Sequence, residues 1–168
     1  MNSKMGEYTV REQIEDFLYD NSVEGNGVES FIMMPAASYC YTEPVTEEKI
    51  KILADLWNRV GQMTLEKYGM KLVQHHEFWS GLRELEWIRK FYEYTDPRYV
   101  FFFCDTAQHV IAGIDPADLY DELHDRIGGF HLKDATQILP ITALHRIPNL
   151  WYPMCPAGSL RQAPARAW

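Results

Sequence analysis

The chain has 168 residues, is 46% hydrophobic and carries a formal net charge of −8. That supplies apolar material for one core, while the acidity and the lack of any basic cluster exclude a nucleic-acid surface. Three cysteines (Cys40, Cys104, Cys155) without CxxC spacing exclude a disulfide frame or structural zinc site, and no run reaches the roughly 20 apolar residues of a membrane span.

Residues 1 to about 20 suit a helix, with Val10, Ile14, Phe17 and Leu18 on one face; the polar start offers no signal-peptide core, so a cytoplasmic location is expected. Asn21 to Gly27 reads as a loop, and Val28 to Met34 as a strand stopped by Pro35. After a polar and aromatic loop, Thr46 has the chemistry of an N-cap, and Glu47 and Glu48 suit the positive end of a helix dipole. The helix it opens is expected to bury Ile50, Leu53, Trp57, Val60 and Met63, and Gly69 to end it. Lys71 to His76 follows as a strand. A helical stripe of Leu82, Leu85, Ile88 and Phe91 then runs to the turn Thr95-Asp96-Pro97.

Tyr99 to Phe103 is an unbroken apolar run, as in a strand buried on both faces. Asp115-Pro116 is a helix start with an N-cap acid and an N1 proline. Leu119, Tyr120 and Leu123 form the inner face of that helix, and Gly128-Gly129 releases the chain into a last strand ending at His131. Strand and helix alternating about every 30 residues predicts parallel βαβ units. From Ala135 onward no acid occurs, although the chain has 24, five of nine prolines do, and no helical or alternating pattern survives past about Leu144. Residues 1–134 are therefore expected to form the domain, and 135–168 an irregular, poorly ordered tail.

Three of the strands run into metal-seeking side chains: His75-His76-Glu77, Cys104-Asp105 with Gln108 and His109 beyond, and His131 with Lys133 and Asp134. The carboxyl ends of parallel strands are where loops build active sites. A carboxylate after a buried strand is costly unless paired, so Asp105 reads either as a metal ligand or as a helix N-cap. His131, flanked by Phe130 and Leu132, is a ligand if Asp105 lies beside it and a core histidine if not. Strand alternation puts His75 and Glu77 on one side and His76 on the other. Imidazole with carboxylate suits Mn, Co or Zn, and carboxylate-rich sites also admit Mg. Lys133 reads as a substrate or proton-transfer group or as half of a surface charge pair. Trp79 reads as a sugar-stacking ring or as core.

The segments CDTAQHVIAGIDP (Cys104 to Pro116) and GGFHLKDA (Gly128 to Ala135) resemble the xylose isomerase-like barrels, closest to the sugar phosphate isomerase/epimerase and inosose dehydratase types. The resemblance implies an α/β fold, a parallel (β/α) barrel of the TIM type. It implies Asp105 and His131 as metal ligands, His75 or Glu77 as the upstream ligand, and a substrate role for Lys133. His76, Trp79 and His109 become candidate substrate-binding residues, and Glu77 and Lys133 candidate catalytic ones. The implied activity is metal-dependent isomerisation or epimerisation of a small sugar or polyol, or an inosose dehydratase-type elimination. Two departures stand out: Gln108 occupies the place where many relatives have histidine, and no acid after Asp134 can serve as a final-strand glutamate. Only four or five β/α units are countable, and a complete barrel needs roughly 200 residues or more. An incomplete barrel and a catalytically impaired, truncated relative are thus the alternative expectation, with self-association through exposed strand edges.

Overall fold

A computed structural model describes residues 15–16, 18–22, 24–34 and 44–141. Most of the expected N-terminal helix face (Val10, Ile14, Phe17), most of the tail, Cys40 and Cys155 lie outside those residues. Four strands, β1 (Ser30–Met33), β2 (Lys71–His75), β3 (Val100–Asp105) and β4 (Ile127–His131), form one parallel sheet in the order β1-β2-β3-β4. The helices between them are α1 (Glu47–Tyr68), α2 (Leu85–Tyr94), α3 (Thr106–Ala112) and α4 (Pro116–Leu123), with a 3-10 turn at His124–Arg126. The α/β fold with serial parallel strands is as expected, and among the described residues the barrel is not closed.

The helix signals act as written. Thr46 Oγ1 accepts from Lys49 N at 3.3 Å, and Gly69 adopts φ 72°, a left-handed cap that L-residues with a side chain rarely take. The buried face of α1 is rotated slightly from the expected one. Ile50, Ala54, Trp57, Gly61, Thr64 and Tyr68 are buried, while Leu53, Val60 and Met63 flank them half-buried. Small residues go deepest because the helix packs closely on the sheet, a feature that ranking by hydrophobicity misses. Leu82 is buried but precedes α2, and Tyr120, expected inward, is 45% exposed. The helix α3 had no expected counterpart: Thr106–Ala112 is too short for a periodic stripe, yet its cap is visible, since Asp105 Oδ1 accepts from Gln108 N at 3.2 Å.

The core lies between the helices and one sheet face, where Leu72, Val100, Phe102 and Cys104 meet Ile50, Trp57, Ile88, Phe91 and Leu119. Burial there pushes the Cys104 thiol pKa up. Arg126, immediately before β4, donates to the carbonyls of Tyr92, Thr95, Asp96 and Val100 and to Thr95 Oγ1. This fan ties β4 to the start of β3 and the end of α2, which sets the height of His131. Residues 135–141 pack back on α3: Leu139 N donates to Ile111 O at 2.9 Å, and Arg83 donates to Leu139 O. Among the described residues no helix is long and apolar enough to cross a membrane.

Candidate metal centre

His75 ends β2, Asp105 ends β3 and His131 ends β4, so the parallel register delivers all three to one rim of the sheet. Asp105 is fully buried. Its Oδ2 lies 3.2 Å from His75 Nε2, 3.2 Å from His131 Nδ1 and 2.6 Å from Lys133 Nζ. One ligand atom from each of His75, Asp105 and His131 fits within 4.8 Å of the other two. Phe103 closes the floor, its ring 4.6 Å from that of His131 and 5.5 Å from that of His75.

Glu77 adds a second carboxylate, its Oε1 3.2 Å from His75 Nδ1. Burial disfavours the charged form of His75, but Glu77 and Asp105 together outweigh it and hold its pKa above the usual value. Burial likewise opposes the Asp105 anion, yet Lys133, the Gln108 backbone N–H and His75 keep its pKa low. An anionic carboxylate facing two imidazoles is the donor set that divalent Mn, Co or Zn accepts. Glu77 lies 3.2 Å from the far nitrogen of His75, which makes no hydrogen bond, so the carboxylate acts on that imidazole through its charge. The residues present fit such an ion.

Three other expected residues, His76, His109 and Trp79, are buried. His76 faces away from the centre, packed on Phe91, Tyr92, Phe102 and His109, with Nε2 3.0 Å from the Tyr92 hydroxyl. His109 is 2% exposed and Trp79 6%. Burial drives the His76 pKa well below normal, and burial takes that of His109 to about 4 against a smaller opposing pull from Asp105. Gln108 braces the loop after β2, its Oε1 accepting from Phe78 N at 2.9 Å. Sequence reasoning overlooked Thr106, whose Oγ1 accepts from Lys133 N at 2.8 Å and lies 3.3 Å from the His131 carbonyl. Its position directly after Asp105 was the available signal.

Over 127 residues the chain is 35% identical to inosose dehydratase of Geobacillus thermodenitrificans, covering 71% of this chain and 41% of that protein. The inosose dehydratase of Clostridium beijerinckii is 31% identical over 143 residues, covering 80% and 47%. A solved sugar phosphate isomerase/epimerase from Parabacteroides distasonis superposes with a TM-score of 0.53 at 19% identity, covering 87% of this chain and 56% of that one. The chain belongs to the xylose isomerase-like TIM-barrel superfamily. It spans less than half the length of these two curated superfamily relatives. No family model matches it.

Proposed function

We propose that this superfamily chain holds a divalent ion through His75, Asp105 and His131 and moves a proton next to the carbonyl of a sugar or polyol. The convergence of two imidazoles and an ammonium on one buried carboxylate oxygen carries the reading. Bound there, an ion would supply a Lewis acid that polarises a carbonyl and acidifies the adjacent C–H. Glu77, the second carboxylate, lies beyond His75 with Oε1 3.2 Å from its far nitrogen, and is the group assigned to take the carbon-bound proton. Lys133, half-exposed at the rim, gives a proton to oxygen. In a dehydration that oxygen is the hydroxyl on the next carbon, which leaves as water as the C–H electron pair forms the double bond. In an isomerisation it is the carbonyl oxygen, which becomes the enediol hydroxyl. Dehydration of a cyclic polyol ketone ranks first, because the curated relatives at 31–35% identity are inosose dehydratases. His76, Trp79 and His109, all buried, act on substrate only through the wall they support.

One contact favours a second reading. Lys133 Nζ already neutralises Asp105 at 2.6 Å, as in a catalytically impaired relative that has replaced an ion by an internal cation. Calorimetric titration of the folded protein with Mn²⁺ or Co²⁺ separates the two. Stoichiometric binding, lost in Asp105→Ala and His131→Ala, is the expected result and licenses an inosose dehydration assay. A folded chain that binds neither ion sinks the enzyme reading and leaves the impaired relative.

A further inference from the structure

The pairing of β3 with β4 carries a one-residue shift between Phe102 and Phe103. Ile127 stands opposite Phe102, Gly129 opposite Phe103, Phe130 opposite Cys104 and His131 opposite Asp105, which leaves Gly128 as the surplus residue. Such a bulge is rare between parallel strands, and bulges gather beside active sites, where they re-aim a side chain. Its effect shows in which way each residue points. Ile127 packs with Phe102 on the helix side of the sheet. A β-carbon on Gly128 would point to the other face, 2.9 Å from both methyls of Val73 and 3.0 Å from the Phe101 β-carbon. One on Gly129 would point to that same face, 2.6 Å from the Phe103 ring. Two successive residues on one face break the alternation of a strand. Phe130 therefore returns to the helix side beside Tyr120 of α4, and His131 takes the face that carries the metal centre. Unbroken alternation from Ile127 would do the reverse, with Phe130 pointing into the centre and His131 towards the helices.

We propose that Gly128 and Gly129 are positioning residues, whose bulge delivers His131 in place of Phe130 to Asp105. Both ends of β4 are tied down. The Arg126 fan on the carbonyls of Tyr92 and Val100 holds Ile127 at the height of Phe102, and Thr106 Oγ1 holds the Lys133 N–H just past His131. Between these ties β4 has one residue too many for a regular strand. The surplus is absorbed at two positions that glycine alone suits, because Val73 and Phe103 already fill the space a side chain would need. The Phe103 ring has no easy way to yield. It packs 4.6 Å from the His131 ring and 5.5 Å from the His75 ring, so pushing it disturbs the two imidazoles that it supports. The use of this register for metal binding rests on the proposed centre; the register itself does not.

Two variants of the full 168-residue chain test this, Gly129→Val and a deletion of Gly128. Gly129 faces the centre only because of the bulge, so valine there favours regular alternation. Deleting Gly128 removes the surplus and leaves Gly129, Phe130 and His131 opposite the same partners. Nuclear Overhauser contacts, measured without metal, are expected between the rings of His131 and Phe103 and between those of Phe130 and Tyr120, in the parent and in the deletion variant. Both contacts should vanish in Gly129→Val. Its Mn²⁺ affinity should fall at least about 10-fold, as far as in His131→Ala, while the deletion variant binds as the parent does. A parent without the ring contacts, a folded Gly129→Val that keeps them, or a folded deletion variant that loses them overturns the proposal. So does a Gly129→Val protein that loses the contacts and keeps its affinity. Should one variant not fold, the parent and the other variant decide. A parent with both contacts and no Mn²⁺ binding supports the register and retires the metal centre alone.

Discussion

His75 and His76 are adjacent in sequence and opposite in circumstance. The first faces two carboxylates at the open rim, and its pKa is held up by them despite burial. The second sits behind the sheet among Phe91, Tyr92, Phe102 and His109, where burial keeps it neutral. The same side chain is a charge-ready group on one side of a strand and a packing element on the other. The inner cluster should therefore control ligand binding and the outer one stability.

The sharpest way to break this contrast is Phe102→Ala. Phe102 stacks against His76, Tyr92 and His109 with no exposure, so its loss should cost about 4 kcal/mol in urea unfolding. Binding of Mn²⁺ by the molecules that remain folded should be unchanged. A variant as stable as the parent would mean the outer cluster is not what holds the sheet to its helices.

Next in size is pH. The pKa of His109 falls to about 4 in the folded chain, against an ordinary value of 6.5. Between those values the unfolded chain binds the extra proton, so stability falls as pH drops from 6.5 towards 4, by about 3 kcal/mol at about 1.4 kcal/mol per unit. His75 acts in the opposite sense. Its raised pKa adds stability below 6.5 that is lost as pH rises through the folded value. Denaturation midpoints across this range should therefore fall on acidification in the parent and less so in His109→Leu. Equal slopes in the two proteins would remove His109 from the account.

Much of this organisation was legible because it rests on local chemistry. Thr46, Gly69 and Asp115-Pro116 mark helix ends by hydrogen bonds and φ angles that only a few residue types satisfy. The apolar runs before His75, Asp105 and His131 mark parallel strands, and parallel strands fix where their ends meet. What stayed hidden was decided by distant contacts. Whether Trp79 and His109 face solvent depends on the loop tied down by Gln108 and Arg83. The deep positions of Gly61 and Thr64 depend on how closely α1 approaches the sheet. Asp105, read as ligand or N-cap, accepts from Gln108 N through Oδ1 and faces the histidines through Oδ2, so the two descriptions were never exclusive.

Asp105→Asn tests the inner cluster directly. The amide keeps an oxygen for the Gln108 N–H but loses the charge that answers Lys133 and the imidazoles. Stability should change by about 2 kcal/mol or less, the order of one buried hydrogen-bonded charge in a partly wet site. Affinity for Mn²⁺ should fall by more than about 100-fold, beyond the loss ordinarily seen when only a supporting group is removed. Retained affinity would place the ion, if one binds, elsewhere on the chain.

The smallest expected effect separates holding from supporting. Thr106 contributes no candidate ligand, but its hydroxyl accepts from Lys133 N and lies against the His131 carbonyl, so it fixes the chain that leaves β4. Thr106→Val preserves shape and removes those bonds, which should cost about 1 kcal/mol of stability. If the rim works as a unit, Mn²⁺ affinity should drop about 10-fold, since His131 and Lys133 would sample positions that no longer converge on Asp105. Thr106→Ser keeps the hydroxyl and should restore most of that affinity. Loss of stability with affinity intact would mean that His131 is set by the sheet register and the Arg126 fan alone, leaving Thr106 a strand-end brace outside the inner cluster.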